Sequence, residues 1–125
     1  MKWPYILATS FYCAGLWWLS SQSHPPKPNV DFFGSDKVVH AMLYATLAGI
    51  VSFGLKRSDN PPGPRLQFWL PIIFAVAYGI TDEIHQAFIP LRSASLADLV
   101  ADLLGALAAQ TCLCLYLWRP RRRVA

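Results

Sequence analysis

An α-helix needs about 20 mostly apolar residues to cross the roughly 30 Å of hydrocarbon in a bilayer. This chain of 125 residues holds four stretches that approach that length. They are WPYILATSFYCAGLWWLSS (3–21), KVVHAMLYATLAGIVSFGL (37–55), QFWLPIIFAVAYGITDEIHQAF (67–88) and LADLVADLLGALAAQTCLCLYLW (96–118). The third and fourth qualify only if their polar residues sit near one membrane face. A composition of 54% hydrophobic against 14% charged residues is too apolar for a soluble domain of this size. The expected fold is therefore all-α, a single domain formed by a bundle of four transmembrane helices.

The first stretch resembles a secretory signal in having Lys2 before an apolar core. It reads better as an uncleaved anchor, because the core is long, carries Trp17 and Trp18, and ends without a small-x-small cleavage site. The connections QSHPPKPNVDFFGS (22–35) and KRSDNPPGPR (56–65) are Pro-rich and too short to be domains. Four crossings would place Lys2, Lys56, Arg57, Arg65, Arg119, Arg121, Arg122 and Arg123 on one side, against Lys27, Lys37 and Arg92 on the other. The positive-inside rule then puts both termini in the cytoplasm of a multi-pass protein of the cytoplasmic (inner) membrane. The net charge of +4 reads as an orientation signal that touches anionic lipid, with no nucleic-acid partner expected. Cys13, Cys112 and Cys114 fall inside the expected spans and read as reduced, buried residues. Trp3, Trp17, Trp18, Trp69 and Trp118 suit interfacial belts.

The same topology gathers the acids and histidines. Asp36, Lys37, His40 and Tyr44 share a stripe at the start of the second segment. Tyr78, Asp82, His85 and Gln86 do so at the end of the third, flanked by Glu83, and Ser95, Asp98, Asp102 and Gly105 on the fourth. Ser95 has the features of an N-cap, with Asp98 three residues on as in a capping box. Small residues accompany two of the stripes: Ala41, Ala45 and Gly49 on the second segment, and Ala97, Ala101, Gly105 and Ala109 on the fourth. The stripes are expected to face one another across the bundle. His40 and His85 would open onto one outward cavity, Asp98 would close it, and the first helix would stand outside as a scaffold.

Two readings of this layer stand side by side. Interhelical hydrogen bonds in membranes are worth about 0.6 kcal/mol, whereas a charge at the bilayer centre costs roughly 2.5 to 3.5 kcal/mol. Simple glue would more naturally use Ser, Thr, Asn or Gln, so a solvated binding site is the alternative. Asp82, Glu83, His85, His40 and Asp98 have the chemistry for hydrolysis or proton transfer. No activated Ser or Cys motif accompanies them. His40, His85 and Asp82 are types that ligate metals, but no pattern such as HExxH is present, and neither metal nor other cofactor is expected. Arg92, in the loop before the fourth helix, and Lys37 are placed to hold a phosphate or carboxylate beside helix N-termini. Pairing of Arg92 with Asp98 or Glu83 is the competing reading.

The motifs Asp36-Lys37-x-x-His40-x-x-x-Tyr44-x-x-Leu47, Asp82-Glu83-x-His85-Gln86-x-Phe88-x-Pro90-x-Arg92 and Asp98-x-x-Ala101-Asp102-x-x-Gly105 resemble those of the VanZ-like family of small integral membrane proteins. The resemblance runs from Asp36 to Gly105. Leu91 stands where that family usually has Gly, and Asp102 where Asn is frequent. It implies a cell-envelope protein linked to low-level resistance to the glycopeptide teicoplanin, outside precursor remodelling. Its implied partners are membrane lipids and a glycopeptide or a lipid-linked envelope precursor. A subunit of a larger membrane protein complex and a membrane-embedded enzyme acting on a lipid-linked substrate are the alternative functions.

Overall fold

The computed structural model describes residues 1–24 and 34–118. Four α-helices cover the four apolar stretches: α1 Trp3–Ser20, α2 Ser35–Lys56, α3 Pro64–Gln86 and α4 Leu96–Cys112. α4 continues into a π-helical segment, Leu113–Leu117. Most of the Pro-rich connection after α1, including Lys27 and Asp31, lies outside the described residues. So does the Arg-rich tail that weighs most in the expected orientation.

Local sequence accounts for the helix ends. Pro4 and Pro64 stand in the first turns of α1 and α3, where a missing N–H leaves no bond unmade. Ser95 caps α4, its Oγ accepting from Asp98 N at 3.2 Å. Gly34 precedes α2 at φ +88°, a backbone conformation that favours glycine. α2 and the combined span Leu96–Leu117 are long and apolar enough to cross a membrane, with mean hydropathies of 1.8 and 1.7. α1 and α3 do not reach that standard. α1 is diluted by its amphipathic Trp and Tyr residues, and α3 by the polar run at its end.

α2 is the centre of the bundle. It packs most extensively on α4 and then on α3, while α1 lies mainly against α2. Tyr44, Leu47, Ala48, Val51, Ile72, Ala75 and Ala106 form the core with Leu16 from α1. In lipid, helix association comes from close packing and hydrogen bonding, because tails are as apolar as the side chains. The closest approach is at Gly105, where an added Cβ would overlap the carbonyl group of Ala41. The expected small-residue stripe thus works at Ala41 and Gly105 but not at Gly49. A Cβ on Gly49 would meet nothing within 4 Å, because that residue lines an apolar recess with Tyr5, Ala8, Thr46, Ile50 and Phe53.

Two contacts carried by tyrosine hydroxyls tie α1 in place. Tyr12 donates to Leu43 O at 2.9 Å, and Tyr78 donates to Cys13 O at 2.6 Å. At the far end of the bundle Trp118 meets the Phe53 ring edge-on at 6.0 Å, and the Lys56 ammonium lies 5.8 Å from the Trp118 ring centroid.

The two glycines should separate sharply in a stability measurement. Gly105→Ala forces α2 and α4 apart and should lose about 1 to 3 kcal/mol in detergent unfolding, the range for overpacking. Gly49→Ala should be neutral, or stabilising by up to about 1 kcal/mol from helix propensity. Equal effects would show that the α2–α4 approach is not tight.

Candidate functional site

The C-terminal ends of α1 and α3 and the N-terminal ends of α2 and α4 meet at one end of the bundle. Asp36 and Asp98 occupy the first turns of α2 and α4, where the helix dipoles favour negative charge. Lys37 Nζ bridges these two acids, at 3.0 Å from Asp36 Oδ2 and 3.2 Å from Asp98 Oδ1. One turn deeper, His40 Nδ1 lies 3.0 Å from Asp102 Oδ1, and His40 Nε2 lies 3.9 Å from Asp98 Oδ2. Asp102 is completely buried, whereas the His40 and Asp98 side chains each remain 13% exposed. The Tyr44 ring lies nearly parallel to that of His40, and its buried hydroxyl makes no hydrogen bond.

α3 closes this layer with Asp82, Glu83 and Gln86, all buried. Glu83 Oε2 accepts the backbone N–H of Ser95 at 2.6 Å, so the amide that a capping box would give to Asp98 is taken by an acid from another helix. Gln86 Nε2 donates to Asp82 Oδ2 at 3.0 Å, and Arg92 donates to Gln86 Oε1 at 2.6 Å. A second guanidinium nitrogen of Arg92 reaches Gln22 O at 3.4 Å. Arg92 thus pairs with neither Asp98 nor Glu83: among the described residues no carboxylate stands within salt-bridge distance of it.

His85 takes a different direction from Asp82 and Gln86, although all three were expected on one stripe. Its ring stacks on Trp17 with centroids 3.9 Å apart, and its Nε2 lies 2.9 Å from Ser21 Oγ. Tyr78 also turns to α1. Residues 82 and 86 are about one helical turn apart, and position 85 is rotated by about 60° from position 82 and about 100° from position 86, toward α1. Separate partners therefore replace the expected shared cavity of His40 and His85. The first helix, expected only as an outer scaffold, supplies the aromatic face and hydroxyl that hold His85.

Four buried side-chain oxygens in this layer carry no partner: Tyr44 OH, Asp82 Oδ1, Glu83 Oε1 and Asp102 Oδ2. Asp102 Oδ2 faces Gly79, where an added Cβ would come within 2.8 Å of it. His40, Glu83 and Asp98 each place one metal-capable atom within 4.8 Å of the others. The sequence reading missed a second polar cluster deeper in the bundle. Ser52 Oγ donates to Gln110 Oε1 at 2.8 Å, Gln67 Nε2 donates to Ser52 O at 2.8 Å, and Gln110 Nε2 donates to Ala48 O at 3.2 Å. These residues are uncharged and buried, and they join α2, α3 and α4. The available signal was a Gln at the end of each of two apolar segments away from the acids, Gln67 and Gln110.

The turn that delivers Arg92 contains a strained residue. Leu91 has φ +66° and is 80% exposed, so its side chain gains little there while its backbone adopts a conformation costly for a residue with a Cβ. Leu91→Gly should stabilise the folded chain by up to about 1 kcal/mol, since relief of about 1 to 2 kcal/mol is partly offset by unfolded-state entropy. A loss of stability in detergent unfolding would contradict this account of the turn.

Neither the curated proteins nor the solved structures compared with this chain include a match. The family model for VanZ/LLP1 matches residues 7–118, which takes in α2, α3 and α4, α1 from Leu7 onward and every residue of the polar layer. With the charged layer, the Arg92 turn and the Gly105 contact all inside that match, the chain belongs to the VanZ/LLP1 family.

Proposed function

We propose that this VanZ/LLP1 family member crosses the cytoplasmic membrane four times with both termini inside, and that its charged layer opens at the outer face. There it acts on an anionic cell-envelope ligand, a lipid-linked precursor being the fitting class, and so lowers sensitivity to a glycopeptide such as teicoplanin. The observation that carries this reading is the contrast between the two polar clusters. Ser52, Gln67 and Gln110 bind three helices together with neutral groups. Joining the same three helices at the other end therefore does not require buried carboxylates. Keeping Asp82, Glu83 and Asp102 buried there, with Asp98 only 13% exposed, costs insertion energy that glue alone does not repay.

Arg92 supports the class of ligand. Its described partners are neutral oxygens of Gln86 and Gln22, which leaves its positive charge available to an anion at the mouth of the layer. Lys37, 44% exposed, is the second cation at this end among the described residues. A guanidinium binds phosphate or carboxylate through paired N–H groups, so the fitting ligand bears such a group.

Topology and residue importance are tested together in cells. A reporter fused after Ala125 should respond as cytoplasmic and one inserted near Pro28 as external, and finding both on the same side would refute the four-span arrangement. Asp82→Asn and Arg92→Gln should lower the teicoplanin concentration that stops growth, whereas Ile84→Ala, on an exposed helix face, should leave it unchanged. If folded, membrane-inserted Asp82→Asn and Arg92→Gln proteins retain the full phenotype, the charged layer is structural.

A further inference from the structure

We infer that His40, Glu83 and Asp98 form a binding site for one divalent cation of the zinc or manganese class. The three residues come from three helices, and one donor atom of each lies within 4.8 Å of the others. Distances of about 2.0 to 2.2 Å to nitrogen and carboxylate oxygen would need only a modest contraction of this triangle.

The stronger argument lies in the atoms these residues do not offer. Each of the three has one heteroatom held by a different partner. His40 Nδ1 is held by Asp102 Oδ1 at 3.0 Å, Glu83 Oε2 by Ser95 N–H at 2.6 Å, and Asp98 Oδ1 by Lys37 Nζ at 3.2 Å. What remains is His40 Nε2, Glu83 Oε1 and Asp98 Oδ2. The first and last of these are 3.9 Å apart, too far for a hydrogen bond. Glu83 is 6% exposed and its Oε1 is buried without a partner, which is an unmet electrostatic demand in this layer.

This is how proteins prepare a metal ligand. A carboxylate on one imidazole nitrogen fixes the ring and raises the basicity of the other nitrogen, and bonded carboxylates are fixed in the same way. The charge balance agrees. Among the described residues of this layer, five carboxylates stand against two cations, Lys37 and Arg92, and a divalent ion would supply positive charge where the buried oxygens lack it. Three protein ligands leave coordination positions open for solvent or an anionic oxygen. No helix carries the ligands as a local motif, so a search along any one helix passes over them.

The site does not depend on what the layer binds at the outer face, and its test reads metal directly. Full-length protein purified in mild detergent, stripped with chelator and reloaded with Zn²⁺ or with Mn²⁺, should retain one ion per chain by elemental analysis. Titration calorimetry should show the same stoichiometry. Manganese guards against capture of zinc by Cys112 or Cys114, because thiolates favour the softer ion. His40→Asn and Glu83→Gln should each abolish stoichiometric binding of both ions. Glu83→Gln keeps an oxygen for the Ser95 amide, so it can remain folded while losing the ligand charge. Asp102→Asn, which keeps an acceptor for the His40 ring, should weaken affinity about 10- to 100-fold. Ile84→Ala should bind as the parent chain does. Folded wild-type protein that retains neither ion, or folded His40→Asn and Glu83→Gln proteins that retain both, would overturn the assignment.

Discussion

The contact of Gly105 with the Ala41 carbonyl sets the spacing on which the polar layer depends. His40 immediately precedes Ala41, and Asp102 lies one turn before Gly105. Bringing the two backbones together at that level is what puts His40 Nδ1 3.0 Å from Asp102 and Lys37 3.2 Å from Asp98. A longer interaxial distance, such as a bulkier residue at 105 would impose, would pull the short Asp102 side chain away from the His40 ring. Packing and electrostatics are thus one arrangement: the missing Cβ permits the ion pairs, and the ion pairs in turn hold the helices in register.

The bundle divides its polar work by depth. The Ser52, Gln67 and Gln110 cluster lies about three to four helical turns from His40 along α2, and it satisfies most of its donors and acceptors within itself. It links three helices without a formal charge. The charged layer has the opposite character, with several buried oxygens unmatched and two cations reaching from its edge. Chains of satisfied hydrogen bonds specify one packing arrangement, whereas unmatched buried groups raise the free energy of the folded chain unless something else meets them.

Much of this was legible in the sequence because helical periodicity and the apolar lengths act locally. The four helices, the gathering of Asp36, His40, Asp82, Asp98 and Asp102 at one end, and the Ser95 cap follow from residue spacing along single segments. What was not legible depends on rotations between segments. The stripe containing Asp82, His85 and Gln86 is broad enough to face two neighbours, and Trp17 and Ser21 decide that His85 belongs to α1. Glu83 reaches the Ser95 amide ahead of Asp98 because the α3–α4 turn folds it over the cap, which no local pattern encodes. Gln67 and Gln110 lie at the ends of their segments away from the acids, and only the packing of three helices makes them a cluster. Gly49 has the right spacing for close approach but lies beside the recess between α1 and α2.

The π-helical segment Leu113–Leu117 governs the other end of the bundle. A hydrogen-bonded ring enlarged by one residue sets the following side chains back by about 100° relative to a continued α-helix. That phase change carries the Trp118 indole round to Phe53 and Lys56 on α2. An α-helical ending would project the same indole toward another azimuth. The last turn therefore acts as an angular offset: it sets where around the bundle, and not only how deep, the terminal aromatic anchor sits.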